Sequence, residues 1–585
     1  MSRTPLEIGK LFGRDQLAEI ISFTWDKFNQ QRNTKIEEWK ELRNYIFATD
    51  TTKTTNGKLP WKNKTTLPKL CQIRDNLHSN YRAALFPNDE WIRWEGYSQE
   101  DSVIEKAEKI QAYMSNKARE SRFVTEASRI VYDYIDYGNA FATVSFEESF
   151  VEEADGTRKP SYLGPRIHRI SPLDIVFNPL ADSFQESFKI VRSLKTMGEI
   201  RAMVEHQPDQ ADLEAILERR KNMCAQIAAG GVDGRDKYDG LMVDGFGSYE
   251  EYLQGDAIEI LEFFGDIHDA KTGEYQTGRV ITVIDRMWVI RNKPIPSWLG
   301  HAPIYHCGWR TRPDNLWAMG PLDNLVGLQY RIDHLENLKA DAMDLAVLPP
   351  LKIIGDVEQF TYGPMEQIHI DENGDVQEMG KNAQWVIQAN NEIHQLAQMM
   401  EQFAGAPSEA MGIRTPGEKT MFEVQQLNNA AGRIFQEKTN NLEVGVFEPA
   451  LNNMLEEAKR NMNVSDVVRV LDDDIGATVF ASITKEDITA SGKLRAIGAR
   501  HFAAQALLLQ NLNQLFSSPM GQKLDAHLSS KKLSKLVEDI LGVSRFGLFS
   551  PNIAIFEQQE TQRMMNQAGE DLELEQSINE DGIAE

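Results

Sequence analysis

The chain has 585 residues, a formal net charge of −25, 41% hydrophobic residues and three cysteines. Its length suggests about four domains with a sizeable core, and its acidic balance excludes a surface that grips DNA throughout by phosphate contacts. The widely separated Cys71, Cys224 and Cys307 argue against a disulfide framework. The apolar runs fall short of the roughly 18 residues of a membrane helix, and the opening Met-Ser-Arg-Thr-Pro-Leu-Glu predicts no secretory signal.

In chain order, 14–47 reads as one helix anchored by Phe23, Trp25, Phe28, Trp39 and Tyr45. A polar run over 51–58 loops to Trp61, and a helix over 67–86 stops at Phe86-Pro87. A strand is expected over 91–97 and helices over 101–120 and 122–137, the second ending at Gly138-Asn139. Residues 140–146 alternate like a strand. Short strands and prolines fill 165–188, and helical patterns return at 196–205 and 209–228. The glycine- and aspartate-rich 230–247 reads as a loop. Strands of an antiparallel sheet are expected at 257–266, 280–284 and 287–290.

The stretch from 320 to 460 organises the rest. A helix over 321–346 carries Pro321 in its first turn, where a missing N–H costs nothing, and stops before Pro349, since the residue preceding a proline leaves the α region. A compact β segment with an Asn373-Gly374 turn follows, then a helix over 391–403. A Pro/Gly-rich break over 405–417 leads into a long helix over 418–460. Its apolar stripe runs through Leu427, Ile434, Leu442, Val446, Leu451 and Leu455, and it would span roughly 60 Å. Pro449 predicts a kink near Glu448, and a helix this long suggests a partner subunit. Beyond it come a short β region over 464–483, a helical unit over 493–541 and an acidic, partly disordered tail. No solenoid repeat is present.

The candidate chemistry is thin. Gly412 to Thr420 imitates a phosphate loop, but Glu418 intervenes where lysine must follow the second glycine; Pro416 and Glu418 suit a helix start. His301, His306 and Cys307 lack the second ligand cluster of a structural zinc site and read as structural side chains. Asp371 to Asp375 begins like a calcium loop, but Val376 and Asn382 occupy the glycine and glutamate places, so a hairpin turn is expected. Asp472-Asp473-Asp474 reads as an acidic turn. Nucleophile elbow, H-E-x-x-H and paired Cys-x-x-Cys motifs are all missing from the sequence. No enzyme activity, metal or cofactor is expected.

Local text agrees with the element order. His301-Ala-Pro-Ile with Trp317-Ala-Met-Gly320-Pro-Leu-Asp, Leu348-Pro-Pro-Leu, Arg414-Thr-Pro-Gly-Glu-Lys-Thr-Met-Phe-Glu-Val424 and Asp487-Ile-Thr-Ala-Ser-Gly492 resemble segments of the portal, or head-to-tail connector, proteins of short-tailed bacteriophages. The resemblance covers about 14–541. It implies an α+β, mostly helical chain of wing, stem, clip and crown with a long kinked helix, assembling as a ring, usually of twelve subunits. Double-stranded genome DNA passes through such a ring at one capsid vertex during packaging and ejection.

Carried onto this sequence, the wing is 1–319 and 418–492, the stem helices 320–346 and 388–403, the clip 347–387, the tunnel loop 404–417, the crown 493–550 and the tail 551–585. The tunnel loop and its flank would place Ser408, Glu409, Met411, Arg414, Thr415 and Lys419 toward the channel. Arg414 and Lys419 would approach the DNA backbone or form intersubunit salt bridges. The clip would present Glu358, Tyr362, Glu366, Asp371, Asn373 and Asp375 to the terminase motor and then to a tail adaptor. A major capsid or scaffold protein is the remaining expected partner, with no membrane. The expected location is the virion, after assembly in the host cytoplasm. An acidic wall suits DNA that must slide. The alternatives are a helical virion adaptor or scaffold without a channel, and a DNA-processing enzyme with scattered carboxylates.

Overall fold

The computed structural model describes residues 6–8, 14–87, 91–96, 101–152, 158–196, 198–200, 218, 257–269, 273–286, 288–347, 351–354, 375–378, 384–404, 434–462, 466–471, 478–489 and 492–496. The fold class is α+β. The chain divides into two compact units and not into four domains. Unit one takes 1–89, 117–462 and 493–496; unit two takes 90–116, 463–492 and 497–585.

Unit one opens with β1 (Leu6–Ile8), α1 (Arg14–Gln31) and α2 (Asn33–Phe47). The single helix expected over 14–47 is therefore two. The break falls at Arg32, whose guanidinium donates to the carbonyls of Pro172 and Leu173 at 2.5 and 2.7 Å and to Asn29 Oδ1. Those tertiary bonds outweigh the helical propensity of the surrounding sequence. Helix α3 (Lys69–Leu85) buries Leu70, Ile73, Leu77, Tyr81 and Leu85, a stripe of three- and four-residue steps.

In unit two lies β2 (Ile92–Gly96), and from Asp101 the chain forms α4 (Asp101–Glu120). Unit one continues with α5 (Phe123–Asp136) and then β3 (Asn139–Glu152), β4 (Arg158–Ile170), β5 (Ile175–Phe177), β6 (Lys189–Thr196), β7 (Ala257–Asp269), β8 (Tyr275–Ile284), β9 (Trp288–Pro294), β10 (Ile304–Gly308), β11 (Arg310–Arg312) and β12 (Asn315–Met319). The order β5-β6-β7-β8-β9 is antiparallel throughout, and β1 joins β7 in parallel. The expected strands over 257–290 are these. A second sheet, β10-β3-β4, carries the long β3–β4 hairpin.

Helix α1 covers the larger sheet. Ala18, Ile21 and Trp25 bury against Ile190, Leu261, Phe263 and Ile281. The helix is tied down by Arg286, which reaches Asp26 Oδ1 at 2.7 Å and both oxygens of the buried Glu259 at 2.7 and 3.0 Å. Asp285 and Arg286 adopt φ of 51° and 61°, a left-handed turn costing roughly 1–2 kcal/mol per residue for non-glycine side chains. A second core gathers Phe141, Ile170, Ile175, Phe177, Phe184 and Ile304.

The organising stretch follows. Helix α6 (Val326–Val347) leads to β13 (Leu351–Ile354), which pairs antiparallel with β14 (Asp375–Glu378), and α7 (Gln384–Phe403) returns. The residue pattern placed the start of α7 at 391 and the resemblance at 388; the helix begins earlier, at Gln384. Its first two turns carry Trp385, Val386 and Ile387, which look like strand in isolation. Residues 434–442 are helical, a π turn spans Glu443–Phe447, and α8 runs Glu448–Asn461 with Pro449 in its first turn. The expected kink site is thus a π turn, which brings the Glu448 N–H to the Glu443 carbonyl and lets a proline enter a continuing helix.

In unit two, β15 (Asp466–Leu471) pairs antiparallel with β16 (Thr478–Ile483). Lys109 reaches Asp487 at 2.9 Å. The Thr484 N–H and hydroxyl, with Lys109, hold the Asp487 carboxyl down at about 2. Asp472, Asp473 and Asp474 lie outside the described residues, as do the regions 201–217, 230–247 and 497–585.

Candidate functional site: a clasped helix pair

Helices α6 and α7 lie side by side and antiparallel, with the β13–β14 ribbon at their far end. Arg331 donates to Glu392 Oε1 through Nε and Nη2 at 3.0 and 2.9 Å, and Lys339 bridges Glu336 and Asn390. At the root, Lys69 of α3 pairs with Glu401 of α7 at 2.6 Å.

One side of α6 is polar at every fourth position: Gln329, Asp333, Asn337 and Asp341. In a helix these stack in a single row. The extended segment 62–68 and the first residues of α3 lie along that row in the opposite direction. Gln329 donates to the Leu67 carbonyl at 2.6 Å and accepts from the Leu70 N–H at 3.2 Å. Asp333 accepts from the Leu67 N–H at 3.0 Å and from the Thr66 hydroxyl at 2.9 Å. Asn337 brackets Thr65, and Asp341 accepts from the N–H groups of Lys62 and Asn63, both at 2.9 Å. Segment 62–68 therefore acts as a strap whose backbone groups are satisfied by side chains in place of a neighbouring strand.

Burial works against charge on this row. The Asp333 side chain is inaccessible, and burial pushes its carboxyl up to about 6 despite three donors. The Asp341 carboxyl stays low because burial there is slight and its bonds to Asn63 and Lys62 dominate together.

The rest of the pair is unlike an ordinary surface. Leu338, Met343, Leu345, Val347, Ile353, Ile354, Trp385, Ile387, Met399 and Phe403 are all exposed, Val347 at 77% and Trp385 at 72%. Scattered single apolar residues mean little, but ten on one projection set it apart from an ordinary surface. The charge is one-sided too: α6 and α7 carry six carboxylates and two cations, and both cations are paired with carboxylates.

Of the residues expected to act, Asp375 is described. It sits in β14 opposite Ile354 and accepts from Gln377 Nε2 at 2.7 Å. Glu358, Tyr362, Glu366, Asp371, Asn373, Ser408, Glu409, Met411, Arg414, Thr415 and Lys419 lie outside the described residues. His306 and Cys307 are structural. The His306 ring stacks on Phe141 at 4.6 Å and its Nε2 lies 3.1 Å from Asn139 Oδ1, so Nε2–H donates. Burial, with Lys189 nearby, holds its pKa down at about 3. Burial pushes the Cys307 thiol up to about 12. His301 Nδ1 faces the Ala302 carbonyl at 3.0 Å. Among the described residues no group of three or more His, Cys, Asp or Glu side chains could hold a metal ion, and no helix is long and apolar enough to cross a membrane.

The strap was missed in the sequence, where 51–58 and the following residues read as a plain loop. The signal was the polar four-residue repeat on α6 without complementary charges along its row. No protein-family model matches the chain, and no curated protein matches it.

Proposed function

We propose that this chain is the subunit of a phage portal: a ring at one capsid vertex through which double-stranded DNA is packaged and ejected. The observation that carries the proposal is the strapped α6–α7 pair, which ends in a β ribbon and exposes ten large apolar side chains. A two-helix projection has no core of its own, so side-by-side copies that cover its flanks remove that surface from water at roughly 25 cal/mol per Å². Repeated head-to-tail contacts of this kind close into a ring when the rotation permits.

In this reading α6 and α7 are the stem and the β13–β14 ribbon belongs to the clip, the docking face for the terminase motor and later for a tail adaptor. The excess of carboxylates on the pair keeps the DNA backbone from adhering. The tunnel loop, long wing helix and crown follow the boundaries given by the resemblance, and a major capsid or scaffold protein surrounds the ring. No reacting group is assigned to the chain, and the pump is a separate ATPase. The test is the mass and symmetry of the purified protein, by light scattering with electron-microscope class averages. A closed ring with a hole wide enough for duplex DNA supports the proposal. A monomer or dimer at every concentration, with no ring in virion material, overturns it in favour of an adaptor or scaffold.

A further inference from the structure

A second feature lies away from the helix pair. Between the α1–α2 junction, β5 and the β11–β12 hairpin is a cleft of about 170 Å³. Its walls include Phe28, Trp39, Phe177 and Trp317. Among the described residues, the charged ones that line it are Arg32, Lys35 and Arg312, and no carboxylate does so. We infer that this cleft is a docking pocket for a short acidic peptide segment, which inserts one aromatic side chain.

Size fixes the guest. An apolar cavity of about 150 Å³ holds one benzene, so this cleft takes a single phenyl-sized group. The aromatic walls are already engaged with one another. Phe177 stacks on Trp317 at 4.6 Å, and Trp39 meets Trp317 edge-on at 5.7 Å. They form a pit and not an open ring face. A nucleobase needs such a face for stacking, and a purine with its sugar exceeds the volume.

Charge fixes the flanks. The Arg32 guanidinium is held over the Trp317 ring at 5.4 Å by its bonds to the Pro172 and Leu173 carbonyls. Lys35 bridges Glu38 and Asp323, each at 2.9 Å. Arg312, on the hairpin, is exposed and is the cation that a guest carboxylate meets. A planar guanidinium suits a carboxylate in two-point fashion.

The probe is a fluorescein-labelled peptide, Gly-Glu-Asp-Phe-Glu-Asp-Gly, titrated with the full chain and followed by anisotropy. Saturable binding is expected. Replacing the peptide phenylalanine by alanine weakens it tenfold or more, as does Arg312→Glu in the protein; Arg312→Lys weakens it less. Both protein changes are at an exposed side chain, and Gln31→Glu, also exposed on the cleft lining, provides a second charge test with the same expected direction. Four results overturn the inference: no saturable binding, equal affinity for the alanine peptide, indifference to Arg312→Glu and Gln31→Glu, or displacement by a twelve-residue oligothymidylate, which would make the cleft a nucleic-acid site.

Discussion

The side-chain amide of Asn337 brackets the backbone of Thr65, accepting from its N–H at 2.7 Å and donating to its carbonyl at 2.7 Å. Two other asparagines do the same. Asn139 brackets Ala318 at 3.0 Å on both bonds, and Asn452 brackets Leu494 at 2.9 Å on both. Each acts as one residue of a β partner supplied by a side chain. Leaving a buried backbone group unpaired costs about 1–3 kcal/mol. Asn337→Ala is therefore expected to loosen the strap by about 2 kcal/mol, seen as roughly 30-fold faster hydrogen exchange at Thr65 and Leu67. Unchanged exchange there would show that the strap is held by other contacts.

Asp333 gives the strap a pH dependence of definite sign. Its folded pKa is raised to about 6 from 3.8, chiefly by burial. Between these values the native state binds more protons than the unfolded state, so this group's contribution falls as pH rises from 4 through 6. The shift of about two units corresponds to about 3 kcal/mol. Asp333→Asn keeps an acceptor for the Leu67 N–H and cannot ionise. The stability of wild type relative to this variant, measured by denaturant unfolding, is expected to decline across pH 4–6 and to level off above. A difference that is flat with pH contradicts the assignment.

His306 acts in the opposite sense. Its folded pKa is held near 3 against an unfolded value of 6.5. Below pH 6.5 the unfolded state takes the proton first, so stability drops as the solution is acidified toward 3. His306→Gln can still donate toward Asn139 and has no charge to bury. It is expected to lose less stability than wild type between pH 6.5 and 4. Parallel acid curves for the two proteins would count against a buried neutral histidine.

Two glycines sit where an added Cβ would crowd a neighbour. Gly138 ends α5 with φ of +68°, and a Cβ there would lie 2.3 Å from the Gly320 nitrogen at the entry to α6. Gly138→Ala forces that backbone contact apart and is expected to cost at least about 3 kcal/mol. At Gly445, inside the π turn, a Cβ would meet Cys307 Cβ at 3.1 Å. Gly445→Ala is expected to cost about 1–2 kcal/mol. Thermal unfolding of the two variants orders these effects; an alanine at 138 with wild-type stability would refute the close approach.

Local periodicity made much of the fold legible. The stripes of α3 and α5, the alternation of β3 and the strand-rich 257–290 follow from apolar spacing that the tertiary structure does not contradict. The Pro349 signal bounded the end of α6 closely, because proline acts through its own backbone; at the other end Pro321 does not open the helix, which begins at Val326 after a 3-10 turn over Asp323–Leu325. Two features were not legible. The break at Arg32 is set by carbonyls 140 and 141 residues away, and no window around Arg32 contains them. The strap depends on pairing Thr65 with Asn337, a contact 272 residues apart in sequence. At the helix pair, the sequence marked the helices and hairpin but not the concentration of exposed apolar groups, since exposure depends on which faces the rest of the fold leaves uncovered.

The central claim is that copies of this chain cover one another's α6–α7 surfaces. The most direct measurement is the mass of the assembled protein beside that of a Val347→Asp, Trp385→Asp variant, by light scattering at matched concentrations. Both side chains are largely exposed within one chain, so the folded subunit tolerates the change, while charges placed in a dry interface between copies do not. The account predicts a closed ring for wild type and small, folded species for the variant. Equal masses for the two proteins, whether both ring or both monomer, would contradict it.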